Sequence, residues 1–323
     1  MINSHQEKRV IDKLTELRGR TVLVTGASGF IGSCLCQRLI QLGSEVHGVS
    51  RSSRQTDDLS MRWWQDDLLD ATRVRGLLAS IKPDIIFHLA SHVTGGRDLK
   101  FVLSTFHSNL ATTVNLLTQA TALGCSRTVL VGSQEEPAHQ DCSPVPCSPY
   151  AAAKWAGSAY ARMFHALYET PVVVARVFMV YGPGQRDLGK LIPYAALSLL
   201  HNEPPRLSSG KREIDWIYVD DAVDGLILMG QKKGIEGSVI DLGSGSLVSI
   251  REVLELLTNL VGSNIRPLYG ALPDRPMEQV RIANIKDTYV HIGWRPRTTM
   301  EKGLKNTINY YQKIVDIIKN NLI

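Results

Sequence analysis

Two hydrophobic rhythms alternate through the first half of the chain. Short apolar, β-branched runs bounded by Gly, Ser or Asp recur, and between them lie stretches whose apolar residues are spaced three and four apart. Thr21-Val22-Leu23-Val24-Thr25 is the first such run; it is too short for a helix and stops at Gly26. The stretch after it places Ile31, Leu35, Leu39 and Ile40 on one side of a helix. Glu45-Val46-His47-Gly48-Val49-Ser50 forms a second strand, and a third ends near Trp64, before Asp66-Asp67-Leu68-Leu69-Asp70. Ile85 to Ala90 is a fourth strand, a long helix is expected from about Asp98 to Leu123, and Thr128 to Val131 is a fifth strand that ends at Ser133. A helix around Tyr150 runs to about Tyr168, ahead of a sixth strand at Val172 to Ala175. Strands alternating with helices imply right-handed crossovers, hence an α/β fold with a doubly wound parallel sheet covered on both faces. In such sheets ligands bind beyond the carboxyl ends of the strands.

Beyond Arg176 the rhythm changes. Tyr181-Gly182-Pro183-Gly184-Gln185 is turn chemistry, and looser segments with Pro193, Pro204 and Pro205 follow. The expected division is a first domain at 1–177, with a return of the chain at about 215–245, and a smaller, irregular α/β domain at 178–323. Val10, Ile11, Leu14 and Leu17 suggest an amphipathic helix at 5–18, docked on the domain edge, and Leu304, Ile308, Tyr311, Ile314 and Ile318 mark another near the C-terminus, as core packing.

The composition narrows the classes of partner. With 44% hydrophobic residues the 323-residue chain is no disordered polymer, and 36 Lys+Arg against 31 Asp+Glu leaves a net charge of +5. The basic residues are dispersed, which argues against nucleic acid and suits a phosphorylated small molecule. No apolar stretch reaches the roughly 18 residues of a membrane span and no signal-peptide core precedes the first strand, so the expectation is a cytoplasmic protein with no membrane partner. The five cysteines include no CxxC pair; Cys34 and Cys36 point to different sides of their helix, and Cys142 and Cys147 read as loop thiols, with a role near Tyr150 as the alternative. Neither a disulfide framework nor a metal site is expected.

The turn Gly26-Ala27-Ser28-Gly29-Phe30-Ile31-Gly32 changes the picture most. Set between a strand and a helix, its first glycines let the backbone turn tightly against a pyrophosphate, whose charge the helix N-terminus favours. The third lets helix and strand pack closely. The spacing GxxGxxG differs from the commoner GxGxxG. A second constellation lies in Ser148-Pro149-Tyr150-Ala151-Ala152-Ala153-Lys154. On a helix, Tyr150 and Lys154 share one face, about 6 Å apart at the Cβ atoms. A phenol, with a pKa of about 10, is a poor base at neutral pH, and a nearby cation favours the phenolate. Dinucleotide turn and Tyr/Lys pair together point to nicotinamide-dependent hydride chemistry.

With Thr25 to Gly32, the Asp67-Leu68 pair, His88-Leu89-Ala90, Asn109 with Thr113, Ser148 to Lys154 and Tyr181-Gly182-Pro183-Gly184 in place, the chain resembles the extended short-chain dehydrogenases/reductases, specifically the NAD(P)-dependent nucleotide-sugar epimerase/dehydratase group. The likeness covers roughly residues 20 to 312. It implies a Rossmann cofactor domain, a nucleotide-sugar substrate, and a homodimer paired through helices at about 98–123 and 150–168, where Val102, Leu110, Val114 and Leu117 could equally be core. It implies that Tyr150 exchanges a proton with the sugar, usually at C4, that Lys154 lowers the Tyr150 pKa and holds the nicotinamide ribose, and that the Ser133 hydroxyl bonds the same sugar oxygen. Gly26, Ser28, Gly29, Phe30, Ile31, Gly32, Leu89 and Ala90 would line the cofactor. Asp67, with Leu68, would sit by its adenine, unless Asp67, like Asp70, merely serves the following helix.

Cofactor choice turns on Ser50-Arg51-Ser52-Ser53-Arg54 at the end of the second strand, where NAD enzymes of this fold place an acidic residue. Arg51, Ser52 and Arg54 suit a 2′-phosphate, which favours NADP, with NAD possible. The reaction is steered by Ser133-Gln134-Glu135-Glu136. Gln134 cannot act as an acid, which argues against a Thr-Asp-Glu dehydratase, while Glu135 keeps a carboxylate; the run is similar to that of 4-keto-6-deoxy-sugar reductases. Lys190-Leu191-Ile192-Pro193 and Asp215 to Asp221 instead resemble dTDP-glucose 4,6-dehydratases. Met179 and Ile214 stand where the family usually has Asn and Arg against the substrate, and Arg212 and Arg275 could substitute. The expected activity is thus a 4-ketoreductase or 4-epimerase, the alternatives being a 4,6-dehydratase using Glu135 and a reductase of a non-sugar ketone.

Overall fold

The computed structural model describes residues 17–53, 61–137 and 144–320. The N-terminal segment 5–16, Arg54 and Cys142 lie outside the described residues. The chain divides into two compact units, one comprising Met1–Val177, Val223–Asp241 and Asp287–Trp294, the other Phe178–Ala222, Leu242–Lys286 and Arg295–Ile323.

In the first unit, β1 (Thr21–Thr25), β2 (Glu45–Ser50), β3 (Met61–Gln65), β4 (Ile85–His88), β5 (Thr128–Ser133) and β6 (Val172–Val177) join β9 (Val239–Leu242) in one sheet of order β3-β2-β1-β4-β5-β6-β9. Every pair from β3 to β6 is parallel. The order reverses at β1, so the crevice between the carboxyl ends of β1 and β4 is the topological switch point. Successive residues of one strand serve opposite faces. Ile86 packs with Leu23 against Val74, Leu77 and Leu78 of α2 (Ala71–Ile81) and Leu116 of α4 (Thr112–Ala122). Its neighbour Phe87 lies under Gly230 of α7 (Val219–Gln231), where an added Cβ would stand 2.7 Å from the ring. Such two-sided burial requires the nearly unbroken apolar strands that the sequence has.

Two details differ from the expectations above. The helix expected from 98 to 123 is interrupted: α3 (Lys100–Thr105) passes through a π-helical turn, Phe106–Ala111, before α4 resumes. β4 ends at His88, not Ala90, because Leu89 and Ala90 turn aside to donate their N–H groups to the Thr25 carbonyl (3.2 Å) and Thr25 Oγ1 (3.1 Å).

The second unit is built on β7 (Met179–Tyr181), β8 (Glu213–Tyr218) and β10 (Leu247–Ser249), in the order β10-β8-β7, with α6 (Leu191–Leu200), α8 (Ile250–Val261) and α10 (Met300–Asn320). Asp215, wholly buried on β8, ties its loops by accepting from Ser244 Oγ (2.7 Å), Gly245 N (3.0 Å) and Ala283 N (2.9 Å). The apolar side of α10 buries Leu304, Ile308, Tyr311 and Val315, whereas Ile318 is exposed. No helix among the described residues is long and apolar enough to cross a membrane.

Candidate active site at the carboxyl ends of β1, β4 and β5

The glycine turn leaves β1 with Gly26 at a φ of +68°, a left-handed conformation that costs other residues strain. A Cβ on Gly26 would stand 2.8 Å from the backbone of Leu89 and Ala90, so β1 and β4 close on each other there. Gly32, inside α1 (Phe30–Gln41), meets the Gly26 carbonyl so closely that a Cβ would lie 2.1 Å from its oxygen. Gly29 is the N-cap of α1, and no side-chain hydrogen bond caps the helix there. The N–H groups of Phe30, Ile31 and Gly32 are therefore left for an external anion, with partly exposed Ser28 alongside. These features fit the pyrophosphate of a dinucleotide.

At the end of β2 the chain presents Ser50, Arg51 and Ser52; Arg51 and Ser52 are exposed and the Ser50 and Ser52 hydroxyls are 3.4 Å apart. Asp66, whose backbone N–H donates to the Ser50 carbonyl at 3.1 Å, is paired with Arg73 at 3.6 Å. Asp67 is half-buried and turns its carboxylate back to Leu69 N (3.0 Å), while Leu68 is core. Asp70 caps α2 by accepting from Thr72 N and Arg73 N, as its place before the helix led one to expect.

The reactive groups converge where β5 meets α5 (Pro149–Tyr168). Ser148 caps α5 by accepting from Ala151 N at 3.0 Å, Pro149 occupies the first turn, and Tyr150, Lys154 and Ser158 follow along one buried face. Tyr150 is buried beside the Ser133 and Ser91 side chains. Burial pushes the phenol well above its ordinary pKa; the neighbouring Ser133 and Ser91 hydroxyls work against this, and the charges of Glu135 and Glu136 add to it. Lys154 was expected to lower the phenol. Its Nζ instead donates to the Val131 carbonyl at 2.8 Å and stands 6.0 Å from the Tyr150 ring centre, and burial prevails. Burial also brings the Lys154 ammonium down to about 8, against the raising influence of Glu136.

Gln134 continues the strand end, donating its backbone N–H to the Val177 carbonyl at 3.1 Å. Glu135 points to the start of α5, its Oε2 3.4 Å from Ser148 Oγ and 4.0 Å from Cys147 Sγ. Residues that the sequence did not single out complete the site. Glu136 is buried behind Ser133, and Ser91 donates to Asn109 Oδ1 at 3.1 Å from the π-turn. The doubled Glu of Ser-x-Glu-Glu was the available signal for Glu136; nothing in the pattern announced Ser91.

The remaining candidates belong to the second unit. Met179 is half-buried on β7, Lys190 precedes α6 and lies 3.9 Å from Asp187, Leu191 begins α6, and Arg275 is exposed. Arg212 is already engaged with Glu278 at 2.8 Å, while its Nε is buried without a hydrogen-bond partner.

The sequence profile of the NAD dependent epimerase/dehydratase family matches residues 22–243. UDP-glucose 4-epimerase of Mycolicibacterium smegmatis is 30% identical over 90% of this chain and 98% of its own length. dTDP-glucose 4,6-dehydratase of Haemophilus influenzae is 26% identical over 90% of this chain and 97% of its own. Among solved structures, UDP-glucuronic acid 4-epimerase from Bacillus cereus, in complex with UDP-glucuronic acid and NAD, matches with a TM-score of 0.80 and 25% identity over 91% of this chain and 99% of that one.

Proposed function

The chain belongs to the NAD dependent epimerase/dehydratase family, and from that premise we propose that it is a nucleotide-sugar oxidoreductase working through a 4-keto sugar, as a 4-epimerase or a 4-ketoreductase. The observation that carries this reading is Tyr150 buried beside Ser133 at the end of β5, with Lys154 one turn along the same helix.

A nicotinamide cofactor held at the glycine turn would supply the hydride acceptor or donor. Gly26, Ser28, Gly29, Phe30, Ile31, Gly32, Leu89 and Ala90 would hold it, with Asp67 and Leu68 towards the adenine end and Lys154 at the nicotinamide ribose. Ser133 Oγ orients the substrate oxygen, and Tyr150 Oη moves the proton on that oxygen. Because burial keeps the phenol protonated at rest, Tyr150 begins as an acid, the role required when a ketone is reduced to an alcohol.

NADP is the preferred cofactor in this proposal, supported by Arg51 and Ser52 at the end of β2; the NAD seen with the Bacillus cereus epimerase marks NAD as the competitor. Nucleotide-sugar relatives support the substrate class, with Lys190, Leu191, Arg212 and Arg275 as candidate contacts. Arg212 would have to share its guanidinium with Glu278 or release it. A homodimer is part of this proposal, supported by the exposed apolar side chains of Leu99, Leu103 and Phe106 on and beside α3 and of Leu167 on α5. Leu117, by contrast, is core.

A 4,6-dehydratase is the second reading, favoured by the Haemophilus influenzae relative and by the Glu135 carboxylate at the mouth of α5. Incubation with UDP- and dTDP-hexoses, and with their 4-keto-6-deoxy derivatives, separates the readings. Epimer formation without net NADPH loss identifies an epimerase, NADPH oxidised in proportion to product a ketoreductase, and a 4-keto-6-deoxy product from the hexose a dehydratase. Cofactor binding without turnover of any nucleotide sugar, together with reduction of simple ketones, would sink the sugar assignment.

A further inference from the structure

Glu136 has no part in the chemistry above, yet it is a carboxylate only 3% exposed. Burying an unpaired charge is unfavourable, and an apolar side chain would fill the same space without that cost. We infer that Glu136 is a positioning residue, which fixes the Ser133 strand end and provides the counter-charge that keeps Lys154 an ammonium. The inference rests on the proposed roles of Ser133, Tyr150 and Lys154.

The first half of the inference stands on backbone geometry. Ser133 N–H donates to Glu136 Oε1 at 2.7 Å, and Glu136 N–H donates to the Ser133 carbonyl at 3.1 Å. This reciprocal clasp closes the turn that follows β5, so the direction of the Ser133 side chain is set by Glu136. Gly132 makes the room: a Cβ there would stand 2.5 Å from Glu136 Oε1 and 3.4 Å from Ser158 Oγ. The carboxylate thus occupies the space that any other residue at 132 would fill.

The second half stands on what surrounds that space. From α5, Lys154 and Ser158 favour the ionised carboxylate; from β6, Arg176 does the same while it is held by Asp241 of β9 at 3.1 Å. Tyr150, from α5, feels the charge in the opposite sense. Burial raises the Glu136 carboxyl above its usual range and lowers Lys154, and each group counters the other's shift. Tyr150, Lys154 and Ser158 lie at i, i+4 and i+8 on α5, so the carboxylate closes the inner end of the row whose outer end carries the phenol.

The test follows NADPH affinity by fluorescence across pH in the parent, Glu136→Gln and Glu136→Asp, with melting curves to show that each is folded. In the parent, affinity is expected to fall as Lys154 loses its proton near 8. Glu136→Gln is expected to move that midpoint down by about one pH unit or more, and Glu136→Asp in the same direction by less. A folded Glu136→Gln whose midpoint matches the parent overturns the inference, since a filler of space would leave it unmoved. Should Glu136→Gln fail to fold, an unmoved midpoint in Glu136→Asp overturns it equally. A moved midpoint in an enzyme that turns over no nucleotide sugar upholds this inference while defeating the proposed activity; turnover intact with the midpoint unmoved does the reverse.

Discussion

Thr25 Oγ1 and His88 Nδ1 lie 2.7 Å apart at the ends of β1 and β4, and their bond has a fixed direction. Thr113 Oγ1 donates to the Asn109 carbonyl at 2.7 Å, so it accepts from His88 Nε2, 3.0 Å away. Nδ1 is then the acceptor of the Thr25 hydroxyl, which in turn accepts from Ala90 N–H. The assignment requires a neutral imidazole carrying its proton on Nε2. Burial, with a smaller contribution from Lys154, lowers the His88 pKa to about 3, in agreement.

This neutrality predicts acid sensitivity. Between 6.5 and about 3 the unfolded chain binds a proton at His88 that the folded chain refuses, so the stability is complete above 6.5 and is lost as pH falls through that window. The slope from this residue is about 1.4 kcal/mol per pH unit. His88→Phe should melt lower at pH 7, because Thr25 and Thr113 lose their partner, yet its melting temperature should fall less between pH 6.5 and 4. An equally steep fall in the variant would place the acid sensitivity elsewhere.

Tyr150→Phe removes the hydroxyl beside Ser133 and Ser91 and leaves the helix packing in place. Turnover is expected to drop by roughly 10²–10⁴-fold while cofactor affinity changes little. Retained activity would remove Tyr150 from the proposed chemistry.

A methyl group on Gly32 has no space, with the Gly26 carbonyl oxygen 2.1 Å from its position. Gly32→Ala must push α1 away from the turn, at a cost of about 1–3 kcal/mol. Differential scanning should show a lower melting temperature, and NADPH titration a weakened affinity. Gly76→Ala, where an added Cβ meets nothing within 4 Å, is the matched control.

Arg51 is exposed at the end of β2, and its expected effect is on cofactor choice alone. Arg51→Ala should cost about tenfold in affinity for NADPH relative to NADH, the loss of one charge-assisted contact. An unchanged ratio of the two affinities would leave the NADP preference without this support.

Leu103 is 67% exposed and Phe106 46%. If these side chains meet a second copy of the chain, Leu103→Glu with Phe106→Glu should halve the mass measured by light scattering. A mass that is the same before and after would refute dimerisation through this face.

The elements that frame the cofactor turn were legible because their physics is local. A β-branched run that must be buried on both sides, followed by glycines that no other residue can replace, leaves few alternatives at Thr21 to Gly32. The Tyr150–Lys154 spacing was legible for the same reason, since a helix repeats every 3.6 residues. What escaped was set by contacts distant in sequence. The Lys154 proton depends on Val131 and Glu136, the Tyr150 pKa on how completely α5 is covered, and the hydrogen bonds of Ser91 on an interrupted helix. Arg212 looked like a spare cation until Glu278, 66 residues later, was found at 2.8 Å from it.

The π-turn at Phe106–Ala111 makes the length of its segment a constraint in its own right. Straightening the π-turn into one regular helix with the same number of residues would rotate everything beyond it by about 100°. Asn109, whose Oδ1 now receives His92 N–H at 2.6 Å and the Ser91 hydroxyl, would turn away from both. Segments exchanged between this chain and a relative would therefore have to be matched by residue count across 100–122 as well as by residue type, because a perfect helix there would be the wrong one.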